Sequence, residues 1–192
     1  MNAPHEYPWG ESLPTLPGDG VHLRALSEAD LPALYEIFGD PEVMRYWSRP
    51  PFDSLEVTAD FLGEIRSGFM QRQLFQWGIV ERGASTVVGT CTLCGFDRDG
   101  WRCELGYALA RRAWGRSLAR RALTTVLDFA FTELGVHRVE ADVDPRNERS
   151  LGLLERLGFV REGLLRQRYH VGGETQDSVV LGLLRGERPG QV

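Results

Sequence analysis

Residues 111–123, RRAWGRSLARRAL, set five arginines around one Trp-Gly pair in a chain whose formal net charge is −5. The residues before it, ELGYALA, have the character of a strand, and those from about Ser117 have the period of a helix. A strand that passes through a glycine-containing turn into a helix aims several backbone N–H groups at one spot, where the helix dipole also favours negative charge. The chemistry of such a turn is anion binding. Gly115 permits close approach of a ligand, Ser117 adds a hydroxyl, and Arg111, Arg112 and Arg116 add charge. On this stretch alone, a solvated basic helix face making i,i+4 pairs accounts for the residues equally well. The Walker A and GxGxxG patterns are absent, so neither a P-loop nucleotidase nor a Rossmann dehydrogenase is indicated.

The elements that must position this turn are legible from patterning. With 192 residues, 42% of them hydrophobic and 26% charged, the chain has the length and composition of one globular domain. Residues 1–20, rich in proline and glycine, read as an extended or disordered tail, 21–186 as a single domain, and 187–192 as a C-terminal tail. VHLRAL (21–26) alternates as a strand, Ser27 and Asp30 form a capping pair for a first helix, and a second helix runs from Asp53 or Ser54 to about Phe69. The segment between, PEVMRYWSRPPF, reads as loop. Three strands follow at 74–81, 85–96 and 101–109, an antiparallel meander with turns at Arg82-Gly83 and DRDG. A helix from Ser117 to Glu133, a strand at 137–143, a short helix over NERSLGLLERLGF and a last hairpin turned at Gly172-Gly173 complete a mixed α/β pattern.

Composition excludes several classes. No window approaches the roughly 18 apolar residues of a membrane span, and MNAPHEYPWGE lacks the order of a signal peptide, so a cytoplasmic protein is expected. The net acidity speaks against a dedicated nucleic-acid binder. Cys91, Cys94 and Cys103 form an odd set that suits a reducing compartment. The Cys91/Cys94 spacing falls within a strand, where residues three apart face opposite ways, so buried thiols are expected rather than a metal or redox site. Trp77 and Trp101 are assigned to sheet packing, and His22 and His170 to the surface.

In order and in motif, residues 20–186 resemble the GNAT N-acetyltransferases, and within them the RimJ/RimL-like ribosomal-protein N-acetyltransferase branch. ELGYALARRAWGRSLA is similar to that branch's strand, pyrophosphate loop and helix. The loop pattern is Arg or Gln, two residues, Gly, one residue, Gly or Ala; here it runs from Arg112 through Gly115 to Ser117, with Ser117 departing from the small-residue position. NERSLGLLERLGF is similar to the family's Asn-x-x-Ser/Ala helix ending in Leu-Gly-Phe. The resemblance implies the acyl-CoA N-acyltransferase fold, an α/β (α+β) architecture with a mixed twisted sheet flanked by helices, and acetyl-CoA lying between the strands at 101–109 and 137–143. It further implies that Arg112 and the N–H groups of Gly115, Arg116, Ser117, Leu118 and Ala119 hold the pyrophosphate. The main chain of Tyr107, Ala108 and Leu109 would pair with the pantetheine arm, and Asn147 would bond the cofactor from the other wall. Asn147 is also a good N-cap, and both roles are compatible.

Acetyl transfer to an amine needs a base, an oxyanion site and a route for the thiol to leave. An α-amine with pKa about 8 asks little of the base. Glu104 is the candidate: strand alternation puts it on one face with Gly106 and Ala108, with Leu105, Tyr107 and Leu109 opposite. A structural carboxylate paired with Arg102 or with a neighbouring strand is the competing reading. For the leaving thiolate, many relatives use a Tyr where this chain has Leu154; Ser150 is the hydroxyl the branch resemblance offers instead, with Tyr169 a further candidate. Tyr46–Phe52 and the RQRYHVGGE hairpin would flank the acceptor, an amine of a protein N-terminus or a small molecule. No metal site is expected, and the state is a monomer or homodimer. A non-catalytic acyl-CoA sensor and a ribosome- or RNA-associated binder on the same fold remain the alternatives.

Overall fold

The computed structural model describes residues 9–97 and 101–188. The chain order is β1 (Leu16–Pro17), β2 (Val21–Arg24), α1 (Leu31–Phe38), α2 (Pro41–Met44), α3 (Leu55–Met70), β3 (Phe75–Glu81), β4 (Val87–Asp97) and β5 (Arg102–Leu109). It continues with α4 (Leu118–Thr132), β6 (Arg138–Val143), α5 (Glu148–Arg156), β7 (Val160–Val171) and β8 (Glu174–Leu184). All eight strands join one sheet in the order β1-β2-β3-β4-β5-β6-β8-β7. Neighbours are antiparallel except β5 and β6, which run parallel.

Side-chain alternation builds two apolar layers. Phe75, Trp77 and Ile79 of β3, with Leu105 and Leu109 of β5 and Val139 and Ala141 of β6, face α4 and α5, which contribute Ala122, Val126, Ala130, Leu151 and Leu154. On the opposite face α1 and α3 lay Leu34, Ile37, Phe38, Leu62 and Ile65 over Val80, Val87 and Ala108. Helices thus cover both faces of the N-terminal half of the sheet. On the α1/α3 face, the C-terminal half instead carries a row of ion pairs: Arg102 to Glu140 (2.7 Å), Arg138 to Glu140 (2.7 Å), and Arg138 to Glu162 of β7. Arg138 reaches across β8 because Gly182 stands between; a Cβ there would lie 2.6 Å from both its Nη1 and the Glu162 Oε1.

Local chemistry explains the element ends. Ser27 donates from its N–H and its Oγ to Asp30 Oδ2 (2.9 Å each), which fixes the turn into α1. Ser54 Oγ accepts from Val57 N to start α3. The segment read as loop contains α2, whose start follows a signal present in the sequence: Asp40 Oδ1 accepts from Glu42 N (2.8 Å) and Pro41 takes the first helical position.

Two expectations need correction. Residues 9–20 are not a loose tail: Trp9 stacks on Phe75 at 4.1 Å, Trp77 Nε1 donates to Pro14 O (2.7 Å), and Leu16 pairs with Leu23 across β1 and β2. The apolar side chains spaced among the prolines supply the reason, since Trp9, Leu13 and Leu16 pack against the core. At the other end, Leu184 N donates to Glu187 Oε2 (3.1 Å) and Arg188 pairs with Asp128. The first eight residues of the expected N-terminal tail, Arg98–Gly100 of the DRDG turn and the last four residues of the C-terminal tail lie outside the described residues.

The helix after the arginine-rich turn begins in an unusual way. Its N-cap, Ser117, has φ +58° and ψ 11°, a left-handed conformation, which is unfavourable for a residue with a Cβ by about 1 kcal/mol. The resemblance's preference for a small residue at this position has its cause here. Ser117→Gly is therefore expected to stabilise the fold, raising Tm by about 2 °C in a thermal melt; an unchanged or lower Tm refutes the strain.

Candidate active site

The site begins where β5 and β6 part. Their parallel register covers Arg102 with Arg138, Cys103 with Val139, and Glu104 with Glu140. Beyond Glu104 no residue of β5 pairs with β6 among the described residues, although β5 stays in register with β4 as far as Leu109 and Gly89. The side of β5 toward β6 is therefore open over residues 105–109.

At the far end of this opening lies the glycine turn. Ala110 N donates to Val88 O (2.9 Å), a single 3-10 turn spans Arg111–Ala113, and Trp114 Nε1 donates to Leu109 O (2.8 Å), clamping the loop to the strand it leaves. Gly115 takes φ +73°, with open space where a Cβ would stand. The first helical bond of α4 is Arg121 N to Ser117 O (3.1 Å), so the N–H groups of Leu118, Ala119 and Arg120 precede the ladder. No backbone carbonyl accepts from Gly115, Arg116 or Ser117 among the described residues.

The arginines do not ring the turn as free cations. Arg111 pairs with Asp40 (3.0 Å), Arg112 with Glu36 (2.7 Å), Arg116 with Glu81 (2.7 Å) and Arg121 with Asp19 (3.9 Å). Arg112 also donates to Val87 O (3.3 Å), so its side chain is turned toward α1 and β4 rather than toward the loop amides. Of the five, only Arg120 has no carboxylate partner among the described residues.

Glu104 is the last residue of β5 to pair with β6, and it stands opposite Cys94 of β4. A bulge in β4, between Cys94 and Asp97, leaves the alternation of β5 intact. Gly95 within it has φ +59°, and a Cβ there would stand 3.0 Å from the Glu104 carboxyl, so this glycine makes room for the side chain. Arg102, the cation of the competing reading, forms its ion pairs with Glu140 and Asp97. Partial burial, then the nearby carboxylates of Asp142 and Glu140, raise the Glu104 pKa, opposed by Arg102 and Arg168. The Tyr169 hydroxyl donates to Asp142 Oδ2 (2.9 Å), so its proton is engaged there.

On the opposite face of β5 the Tyr107 hydroxyl meets Ser150 Oγ at 2.7 Å. Ser150 sits in the first turn of α5, where its N–H donates to Asn147 Oδ1 (3.2 Å). Asn147 is thus the N-cap, and its side-chain NH2 is the group left to offer a ligand. Asp144, buried just before it, accepts from Arg146 N (2.8 Å) and from its guanidinium, which holds the loop between β6 and α5. Leu154 is fully buried and supplies packing only. Trp47 packs edge-on against Phe38, which draws it into the core beside the expected acceptor side. Among the described residues no group of three or more His, Cys, Asp or Glu is arranged to hold a metal ion, and no helix is long and apolar enough to cross a membrane.

The sequence motifs singled out Glu104, the 115–119 amides, Asn147 and Ser150, and the structure places Glu104 at the parting of β5 and β6, the amides after β5 and Asn147 and Ser150 at the start of α5. Sequence reasoning missed the side chain of Tyr107, which it used only for main-chain contacts, and it missed Gly95 and Asp142. Alternation gave the side of the sheet that Tyr107 faces, but its partner lies 43 residues away in sequence, beyond the reach of any local pattern.

Comparison with known proteins identifies the family. The family model described as Acetyltransferase (GNAT) domain matches residues 21–160. The chain is 33% identical to p20 of Bacillus licheniformis, an uncharacterized N-acetyltransferase, over 93% of this chain and all of that one. It is 29% identical to the [ribosomal protein uS5]-alanine N-acetyltransferase of Escherichia coli over 64% of this chain and 63% of that one. The structure of spermidine N-acetyltransferase from Vibrio cholerae in complex with CoA and spermine superposes with TM-score 0.78 at 23% identity, covering 88% of this chain and 97% of that one. The chain belongs to the GNAT family, resembles its RimJ/RimL-like branch, and is an N-acetyltransferase.

Proposed function

We propose that the chain moves an acetyl group from acetyl-CoA directly to a primary amine, in the cytoplasm. The observation that carries this reading is the opening between β5 and β6, with a carboxylate of raised pKa at its vertex and an array of backbone amides at its mouth. The amides of Gly115 to Ala119 receive the pyrophosphate, with Arg112 holding the loop in place and Arg116 beside it. The open side of Tyr107, Ala108 and Leu109 offers main-chain groups to the amides of the pantetheine arm, as an added strand would be offered them. Asn147 lends its NH2 from the facing wall.

Glu104 takes a proton from the amine, directly or through one water, as nitrogen attacks the thioester carbonyl. A main-chain N–H of β5 holds the developing oxyanion, and the Ser150 hydroxyl faces the departing sulfur. The acceptor approaches on the Glu104 face, beside Asp142, Tyr169 and Arg168. The relatives named above act on a ribosomal-protein alanine and on spermidine, which supports both a protein N-terminal α-amine and a small-molecule amine as acceptor classes.

The test is thiol release by purified protein given acetyl-CoA with spermidine, an alanine-initiated peptide or free amino acids. Release with at least one of them is expected; acetyl-CoA binding without release from any would favour an acyl-CoA sensor. Glu104→Gln should lower kcat about 100-fold without lowering Tm at pH 7, since a pKa raised by folding means that the ionised carboxylate costs the folded state stability. Near-normal kcat in this variant would remove the base assignment.

Because the base must be ionised, kcat should fall as pH drops through the Glu104 pKa, at a pH above the ordinary carboxylate value of about 4.3. Asp142→Asn removes one of the charges that raise this pKa, so the acid limb should move to lower pH; a stationary limb would contradict the coupling. Gly115→Val finds open space but must hold φ +73°, which strains the turn that presents the amides, and calorimetry should show acetyl-CoA affinity weakened about tenfold or more.

A further inference from the structure

The contact between Tyr107 and Ser150 joins the two walls of the opening: Tyr107 stands three residues past the last parallel pair of β5, and Ser150 begins the helix that follows β6. Neither hydroxyl has another hydrogen-bond partner among the described residues. A phenol is the stronger donor of the two and, with its lone pair delocalised into the ring, the weaker acceptor. The proton shared at 2.7 Å is therefore the tyrosine's, and the serine keeps its own for an acceptor in the opening. Burial pushes the Tyr107 pKa up to about 12, so this donor persists across the pH range of amine acetylation.

We propose that Tyr107 is a positioning residue for acetyl transfer: by donating to Ser150 Oγ it turns the Ser150 O–H toward the sulfur of the acyl donor. The inference rests on the acetyl-transfer reading above. As the N–C bond forms and the C–S bond breaks, the electron pair goes to sulfur and the amine's proton to Glu104. Ser150 hydrogen-bonds the thiolate while both hydroxyls retain their protons, and the thiolate is protonated from solvent. Glu104 and the hydroxyl pair thus act from opposite faces of β5, the base on the acceptor's side and the donor pair on the sulfur's.

The experiment is a double-mutant cycle of Tyr107→Phe and Ser150→Ala, read by thiol release with the acceptor panel above. Tyr107→Phe should lower kcat about tenfold, the loss of one hydrogen bond made in the transition state, with the KM for acetyl-CoA within about twofold and Tm retained. Ser150→Ala should lower kcat at least as far, and Tyr107→Phe should then add no further loss. Equal losses from Tyr107→Phe in both backgrounds, or wild-type kcat in either single variant, would overturn the proposal. Where Tyr107→Phe fails to fold, wild-type kcat in Ser150→Ala still overturns the proposal. Absence of turnover by the unmodified protein overturns this proposal and the transfer reading together. Turnover that persists in Glu104→Gln while the cycle holds removes only the base.

Discussion

The brevity of the parallel contact between β5 and β6 governs the rest of the molecule. Three residue pairs join these strands, and the sheet then divides. Strands that part inside a sheet leave main-chain groups without partners, a costly arrangement unless a ligand or water supplies them. The vertex is braced by charge. Arg102, Glu140, Arg138 and Glu162 tie β5, β6 and β7 together on the face that the helices leave bare. Gly182 permits the span because it places no side chain between the Arg138 and Glu162 groups. Below the vertex the strands are fixed, and above it they diverge, so residues separated by only a few positions on β5 serve the sheet on one side of Glu104 and the opening on the other.

Charge at the glycine turn follows a related economy. An acidic chain that concentrates arginine in one turn surrounds it with carboxylates drawn from α1, the start of α2, β3 and the segment before β2. Exposed ion pairs of this kind are worth about 0–1 kcal/mol each. They order the loop, yet a polyanion arriving at the turn competes for the guanidinium groups at small cost. The fixed part of the proposed anion site is the backbone, where Gly115 and Ser117 adopt positive φ directly before the first turn of α4.

Much of this was legible in the sequence, because local patterns set it. The alternation of ELGYAL put Glu104 and Tyr107 on opposite faces, and the turn from Ala110 to Ser117 followed from one glycine between a strand and a helix. The motif pair around Gly115 and Asn147 marked the fold. What escaped was long-range or masked by composition. Prolines at 14 and 17 suggested a tail, whereas the apolar residues among them cover the edge of the sheet at β2 and β3. The arginines suggested a cationic patch, and only the fold discloses that Glu36, Asp40 and Glu81 converge on them. The acidic surroundings of Glu104 depend on Asp142, a residue of another strand.

The buried Leu154 shows how one element's loss of a polar group constrains its neighbours. A tyrosine at that position would bring a hydroxyl from the second turn of α5; leucine instead completes the apolar layer under the helix. The first turn of α5 and the strand beneath it each still carry a hydroxyl, Ser150 and Tyr107, and the two are in contact. A serine alone in a first helical turn is a free rotor that readily bonds back to the helix or to water. Held at 2.7 Å by the Tyr107 phenol from β5, it has a partner that limits this rotation, which is what the positioning role proposed above requires.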